Sequence, residues 1–154
     1  MKLASMLVGL AAGVSAIAFT ATPAHAAGTV SGTVSVNFSP WNVTCSWTNA
    51  TTSDVPPNTL TISHTSINST ISCTGGIALT VTSSPTVTFS GGNATIVSID
   101  VAVQTPSCAY RVSNATLLGP GPTYTGTDVP AVEKDPKRFL CPDNVTMGTV
   151  SLAF

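Results

Sequence analysis

The sequence predicts an all-β protein, a β-sandwich or small barrel of about eight to ten short antiparallel strands stapled by two disulfides. Three observations lead there. Apolar residues recur with period two along most of the chain. Turn-forming residues separate the alternating runs. The cysteine count is even, with wide spacings and no C-x-x-C.

The alternation is read in order. Val30, Gly32, Val34, Val36 and Phe38 share one face, with Ser and Thr between them. Val43, Cys45 and Trp47 follow, then Leu60 and Ile62, Ile71 and Cys73, and Ile77, Leu79 and Val81. Val87 and Phe89 precede a stripe of Val97, Ile99, Val101 and Val103, whose opposite face carries Ser98, Asp100 and Ala102. Cys108, Tyr110 and Val112 continue the pattern, and Val150, Leu152 and Phe154 close it. Such alternation marks strands with one face buried and one in water. Ser39-Pro40, Pro56-Pro57-Asn58, Gly75-Gly76, Ser84-Pro85, Gly91-Gly92 and Thr105-Pro106 are the breakers. No helical period is expected after residue 26. The stretch from Gly119 to Asn144 reads as a long loop, opened by Gly119-Pro120-Gly121-Pro122 and carrying the charged run Glu133 to Arg138.

Residues 1–26 read as a cleavable signal peptide. Lys2 precedes an uncharged apolar stretch, and Ala24-His25-Ala26 has small residues where a signal peptidase requires them. The apolar stretch is shorter and poorer in large side chains than a membrane span needs. The expected mature chain, 27–154, is one domain with no transmembrane span, secreted or associated with the cell envelope. An oxidising destination makes Cys45, Cys73, Cys108 and Cys141 disulfide partners. Of the three possible connectivities, neighbour-to-neighbour pairing in a meander favours Cys45–Cys73 with Cys108–Cys141.

Composition narrows the function classes. Only 7% of residues are charged and the net charge is −1, so no basic surface for nucleic acid is expected. Seven of the eight asparagines begin an Asn-x-Ser/Thr sequon (Asn37, Asn42, Asn49, Asn68, Asn93, Asn114 and Asn144), which a polar strand face of Asn and Thr generates by alternation alone. No catalytic set is expected. His64 is the only histidine beyond the signal peptide and falls on a predicted strand, with only Asp54 and Asp100 as conceivable orienting carboxylates. The remaining acids are too dispersed for a glycosidase pair, a calcium loop or another metal site, and no cofactor is expected. Trp41, beside a turn, and Lys134 and Arg138, in the charged run, are the candidate surface contacts. Trp47, in phase with Cys45, is expected in the core near a disulfide.

The segments VTCSW (Val43–Trp47), TISCTG (Thr70–Gly75) and VTFSGGNATIVSIDVAVQTPSC (Val87–Cys108) resemble small secreted bacterial proteins of the "protein activator of alkane oxidation" family. That resemblance implies an extracellular accessory protein that aids contact with hydrophobic substrates or surfaces, with no catalytic residues. The expectation is therefore a non-enzymatic protein working by adhesion or at hydrophobic interfaces. Its partner would be a hydrophobic surface, a glycan or an envelope component, and self-association is compatible. A small-molecule or polysaccharide binding module and a subunit of a surface fibre are the alternatives.

Overall fold

The computed structural model describes residues 27–38, 41–104, 107–134 and 140–154. The signal segment, the Ser39-Pro40 and Thr105-Pro106 turns, the side chain of Trp41, and Arg138 lie outside them. The described chain is mostly antiparallel β-strand, with one short helix, a 3₁₀ turn and connecting loops. The strands are β1 (Gly28–Phe38), β2 (Trp41–Thr52), β3 (Leu60–Thr61), β4 (Ser72–Cys73), β5 (Leu79–Val81), β6 (Thr86–Ser90), β7 (Asn93–Val103), β8 (Cys108–Leu117), β9 (Thr123–Glu133) and β10 (Asn144–Ala153). Helix α1 (His64–Thr70) lies between β3 and β4.

All ten strands belong to one sheet, in the order β3-β6-β7-β8-β9-β10-β1-β2-β4, with β5 on the far part of β7. The sheet is not closed into a barrel. Its two ends meet only at a single bridge between Thr52 and Ile62. One face, lined from every long strand, forms a continuous apolar core around Val30, Leu60, Val87, Tyr110, Leu117 and Leu152. Both disulfides are formed, Cys45–Cys73 and Cys108–Cys141. Trp47 is buried opposite Gly32 across the β1–β2 ladder, and a Cβ on Gly32 would overlap the indole. The glycine is what lets the ring lie flat on β1.

Six strands run ten to twelve residues, longer than the sequence suggests, and five of them change phase once. In β2, β8 and β9 the change occurs where two consecutive residues face outward: Thr48-Asn49, Ser113-Asn114 and Thr127-Asp128. In each pair the second residue has positive φ, at 52°, 52° and 54°. Asn and Asp accept this left-handed conformation better than other residues with a Cβ. In β7 the extra residue is Val97, and in β10 it is Gly148, each skipped in the pairing with β6 and β1 respectively. These are β-bulges, which bend a strand and increase its twist. Set across neighbouring strands, they allow so long a sheet to curl until its ends touch.

The bulges account for two departures from the sequence reading. Val97 does not belong to the apolar stripe: it is 41% exposed, and Ile96 points inward instead. Nor is 119–144 one long loop. Thr123–Glu133 is β9, a central strand paired with β10 along its length. Its inward positions are Tyr124, Gly126, Val129, Ala131 and Glu133, a set broken by the bulge and diluted by a glycine and a carboxylate.

Helix α1 is the third departure, because its sequence, His-Thr-Ser-Ile-Asn-Ser-Thr, contains no strong helix former. Ser63 caps it by accepting from the Ser66 N–H at 3.3 Å. Only Ile67 is buried. Ser66, Asn68 and Thr70 satisfy the edges of the gap between β2 and β5. The Asn68 amide accepts from the Val81 N–H and donates to the Val81 carbonyl, both at 2.8 Å, as a strand's peptide would. The Thr70 hydroxyl accepts from the Thr48 N–H at 3.3 Å and donates to the Thr48 carbonyl at 3.1 Å. Ser66 Oγ accepts from the Thr51 N–H at 2.9 Å.

Asn68→Ala is expected to destabilise the protein by about 1–3 kcal/mol, because it strips both partners from the Val81 peptide groups. Urea unfolding at neutral pH measures this. Asn114→Ala is expected to cost about 1–2 kcal/mol through its left-handed backbone, whereas Asn114→Gly stays close to wild type in the same assay.

Candidate functional site

Strands β7 and β8 pair antiparallel, and their register places Asp100 opposite Arg111. The β8–β9 ladder then places Arg111 opposite Val132, so Lys134 follows just past the end of β9. Its backbone N–H is fixed to the Ala109 carbonyl at 2.8 Å. Three charged side chains from three strands meet here as a consequence of register. Arg111 grips Asp100 with two parallel bonds, Nε to Oδ1 at 2.7 Å and Nη2 to Oδ2 at 2.9 Å. Lys134 Nζ donates to the same Oδ2 at 2.7 Å.

Asp100 is buried although it lies on the outer face of the sheet, because the two cations cover it. The hydrogen bond from Arg111 lowers its pKa to about 2, with Lys134 adding to the effect and burial opposing it. Asp100 in turn raises the pKa of the Arg111 guanidinium. The Asp100 backbone is also engaged, its N–H donating to Ser83 Oγ at 3.0 Å and its carbonyl accepting from the Thr82 N–H at 2.8 Å. Beside the cluster lies an open groove of about 370 Å³, lined by Arg111, Ser113, Pro130, Val132, Glu133 and Lys134.

Below the cluster, Glu133 is buried and accepts from the Ala109 N–H at 3.3 Å. A carboxylate oxygen of Glu133 and the sulfurs of Cys108 and Cys141 lie within 4.8 Å of one another. Both sulfurs are committed to the disulfide, so this group is not a thiolate metal site. Tyr110 pairs with Glu133 across the ladder. Burial, then the Glu133 charge, then its hydrogen bond push the phenol up to about 12.

His64 is not on a strand. It opens α1, and its Nδ1 lies 2.9 Å from Ser84 Oγ. The same Ser84 oxygen accepts from the His64 backbone N–H at 3.2 Å, so the contact fastens the helix start to the loop before β6. Among the described residues, no hydrogen bond or ion pair joins His64 to Asp54 or Asp100. Asp54 accepts from the Val55 N–H and from Asn58 Nδ2 within its own loop. Of the expected surface contacts, Lys134 sits in the charged cluster. Trp41 opens β2 with its side chain outside the described residues, where Arg138 also lies.

Other concave regions lie elsewhere among the described residues. The interior holds an apolar cavity of about 50 Å³ beneath α1, lined by residues that include Trp47, Ile67 and Met147. A second groove, at the far end of the molecule, is bounded by Val55, Pro56, Pro122, Tyr124 and Phe154. There the rings of Phe89, Tyr124 and Phe154 pack with centroids 5.4–6.0 Å apart.

Comparison with known proteins finds no matching family and no similar curated protein or solved structure. No helix among the described residues is long and apolar enough to cross a membrane.

Sequence reasoning found Lys134 but not its partners. Asp100 and Arg111 are equidistant from the Thr105-Pro106 turn, and that symmetry was the available signal. The pH dependence of stability should report their pairing. Asp100 has a depressed pKa, so its stabilising contribution is complete above the ordinary carboxylate range and disappears as pH falls through about 2. Asp100→Asn is therefore expected to unfold at lower urea than wild type at pH 7. The gap should narrow below about pH 4 and close near pH 2.

Proposed function

We propose that this chain is an exported, non-enzymatic accessory protein that works through its outer surface, by adhesion or by assisting contact with hydrophobic material. The observation that carries this reading is the filled interior. A cavity of about 50 Å³ holds no ligand larger than a few atoms, so a partner of any size meets the protein from outside. The outward faces of the long strands are dominated by Thr, Ser and Asn, and two disulfides fasten the fold as an oxidising destination requires. The resemblance to activators of alkane oxidation points the same way. So does the engagement of His64 with Ser84 and the helix start in place of a carboxylate.

A specific observation favours a second reading, a polysaccharide-binding module. The groove at Arg111 and Lys134 combines fixed donors with the exposed apolar flank of Pro130 and Val132. The fibre-subunit reading is less well supported. Strand exchange requires an available edge, and the exposed sides of β2 and β5 are held by Asn68, Thr70 and Ser66.

Adsorption to methyl-terminated and hydroxyl-terminated monolayers, measured by mass-sensitive resonance beside an albumin control, tests the leading reading. Retention on one surface, resistant to rinsing and exceeding albumin, is the expected result. Retention no better than albumin on both surfaces would exclude it.

A further inference from the structure

We propose that the groove beside Asp100, Arg111 and Lys134 binds a carboxylate of an anionic polysaccharide, with Asp100 positioning the two cations. This rests on the reading of the protein as one that acts through its outer surface, and it names the chemistry of one partner.

Basic side chains are scarce in this chain. The chain has five basic residues in 154, and the described part contains only Arg111 and Lys134. Both converge on one carboxylate from neighbouring strands. Burying Asp100 does not require both. Arg111 alone reaches both carboxylate oxygens, at 2.7 and 2.9 Å, in the bidentate geometry that satisfies an aspartate. Lys134 adds a second cation to an oxygen already bonded, which leaves the triad with one positive charge in excess. That excess faces outward: the Arg111 side chain is 52% exposed and that of Lys134 38%, against 10% for Asp100. Glu133, the other charged residue lining the groove, is itself buried and bonded to the Ala109 N–H.

Two long side chains held by a buried anion have already lost much of their rotational freedom. A ligand that engages them avoids that ordering cost. The rest of the groove suits a sugar. Pro130 and Val132, the latter 54% exposed, present an apolar surface to the C–H face of a ring, and Ser113 supplies a hydroxyl at the rim. With the buried Glu133 counted, the site is neutral overall, and the charge that faces outward is the triad's single positive excess, which suits one carboxylate. That excess is far below the cluster of four to eight basic residues that holds a protein to an anionic bilayer, and the net charge of −1 further disfavours such a surface.

Isothermal titration of the disulfide-bonded protein with polygalacturonate at low ionic strength tests the proposal. Polygalacturonate methyl ester and phosphatidylglycerol–phosphatidylcholine vesicles provide the comparison arms. Wild type is expected to bind the free acid and not the ester. Lys134→Gln keeps the Arg111–Asp100 pair and is expected to weaken binding about tenfold, the loss of one charge-assisted contact. Lys134→Arg is expected to restore it. Circular dichroism and melting of each variant establish that the fold is retained. No binding of the acid, equal binding of acid and ester, unchanged affinity in Lys134→Gln, or binding to the vesicles alone would each overturn the proposal. Adsorption to the monolayers without polygalacturonate binding would reject the glycan while leaving the surface-acting reading in place.

Discussion

Two fixed points on β2 govern the architecture. The Cys45–Cys73 disulfide holds the end of β4 to the strand, and the Thr52–Ile62 bridge holds the residue just past β3 to it. Along β2 the fixed points are seven residues apart, but the chain joining their partners spans eleven. An extended chain advances about 3.3 Å per residue and a helix about 1.5 Å. The connecting segment therefore cannot run straight beside β2, and the surplus coils into α1. That explains why a sequence of Thr, Ser, Ile and Asn becomes helical here against its own preference. The tertiary constraint outweighs local propensity, and the helix supplies through its side chains the hydrogen bonds a further strand would have supplied through its backbone.

The same logic sets the limits of what could be read in advance. The alternation of β1, the first half of β2, the start of β8 and the end of β10 was legible because those stretches lie on one side of a bulge. The disulfide pairing followed because neighbours in a meander do meet. The bulges at Asn49, Asn114 and Asp128 were hidden, since each reverses which residues face inward and nothing local announces the reversal except an Asn or Asp in a strand. Strand β9 was lost for this reason, with Gly126 and Glu133 occupying core positions that normally identify a strand by their apolarity. Helix α1 was illegible in principle, because its cause lies in a length mismatch between two distant contacts.

The charged cluster belongs to the same accounting. Lys134 was visible as part of a charge run, but a charge run is usually only a solvated face. What distinguishes Lys134 is its neighbour across two ladders, and that neighbour follows only from strand order. In the sequence Asp100 is a conceivable orienting acid for a histidine. The sheet places it instead under an arginine, where it holds two cations in place and keeps its own charge. In a protein so poor in ionic groups, this concentrates most of the directional electrostatics of the described surface at one location.

The mismatch that creates α1 also separates the length of its segment from the rest of the fold. Elsewhere in the sheet an added residue would slip a ladder and turn a core face toward water. Between Ile62 and Cys73 it would only enlarge the coil, because the two fixed points carry the register. Insertions and deletions should therefore be tolerated in this segment more readily than within any strand, provided that groups equivalent to Asn68 and Thr70 still reach the two edges. Compared with the long strands, this stretch leaves descendants of the sequence more freedom to diverge in length, and a foreign peptide could be grafted there with less disturbance to the sheet.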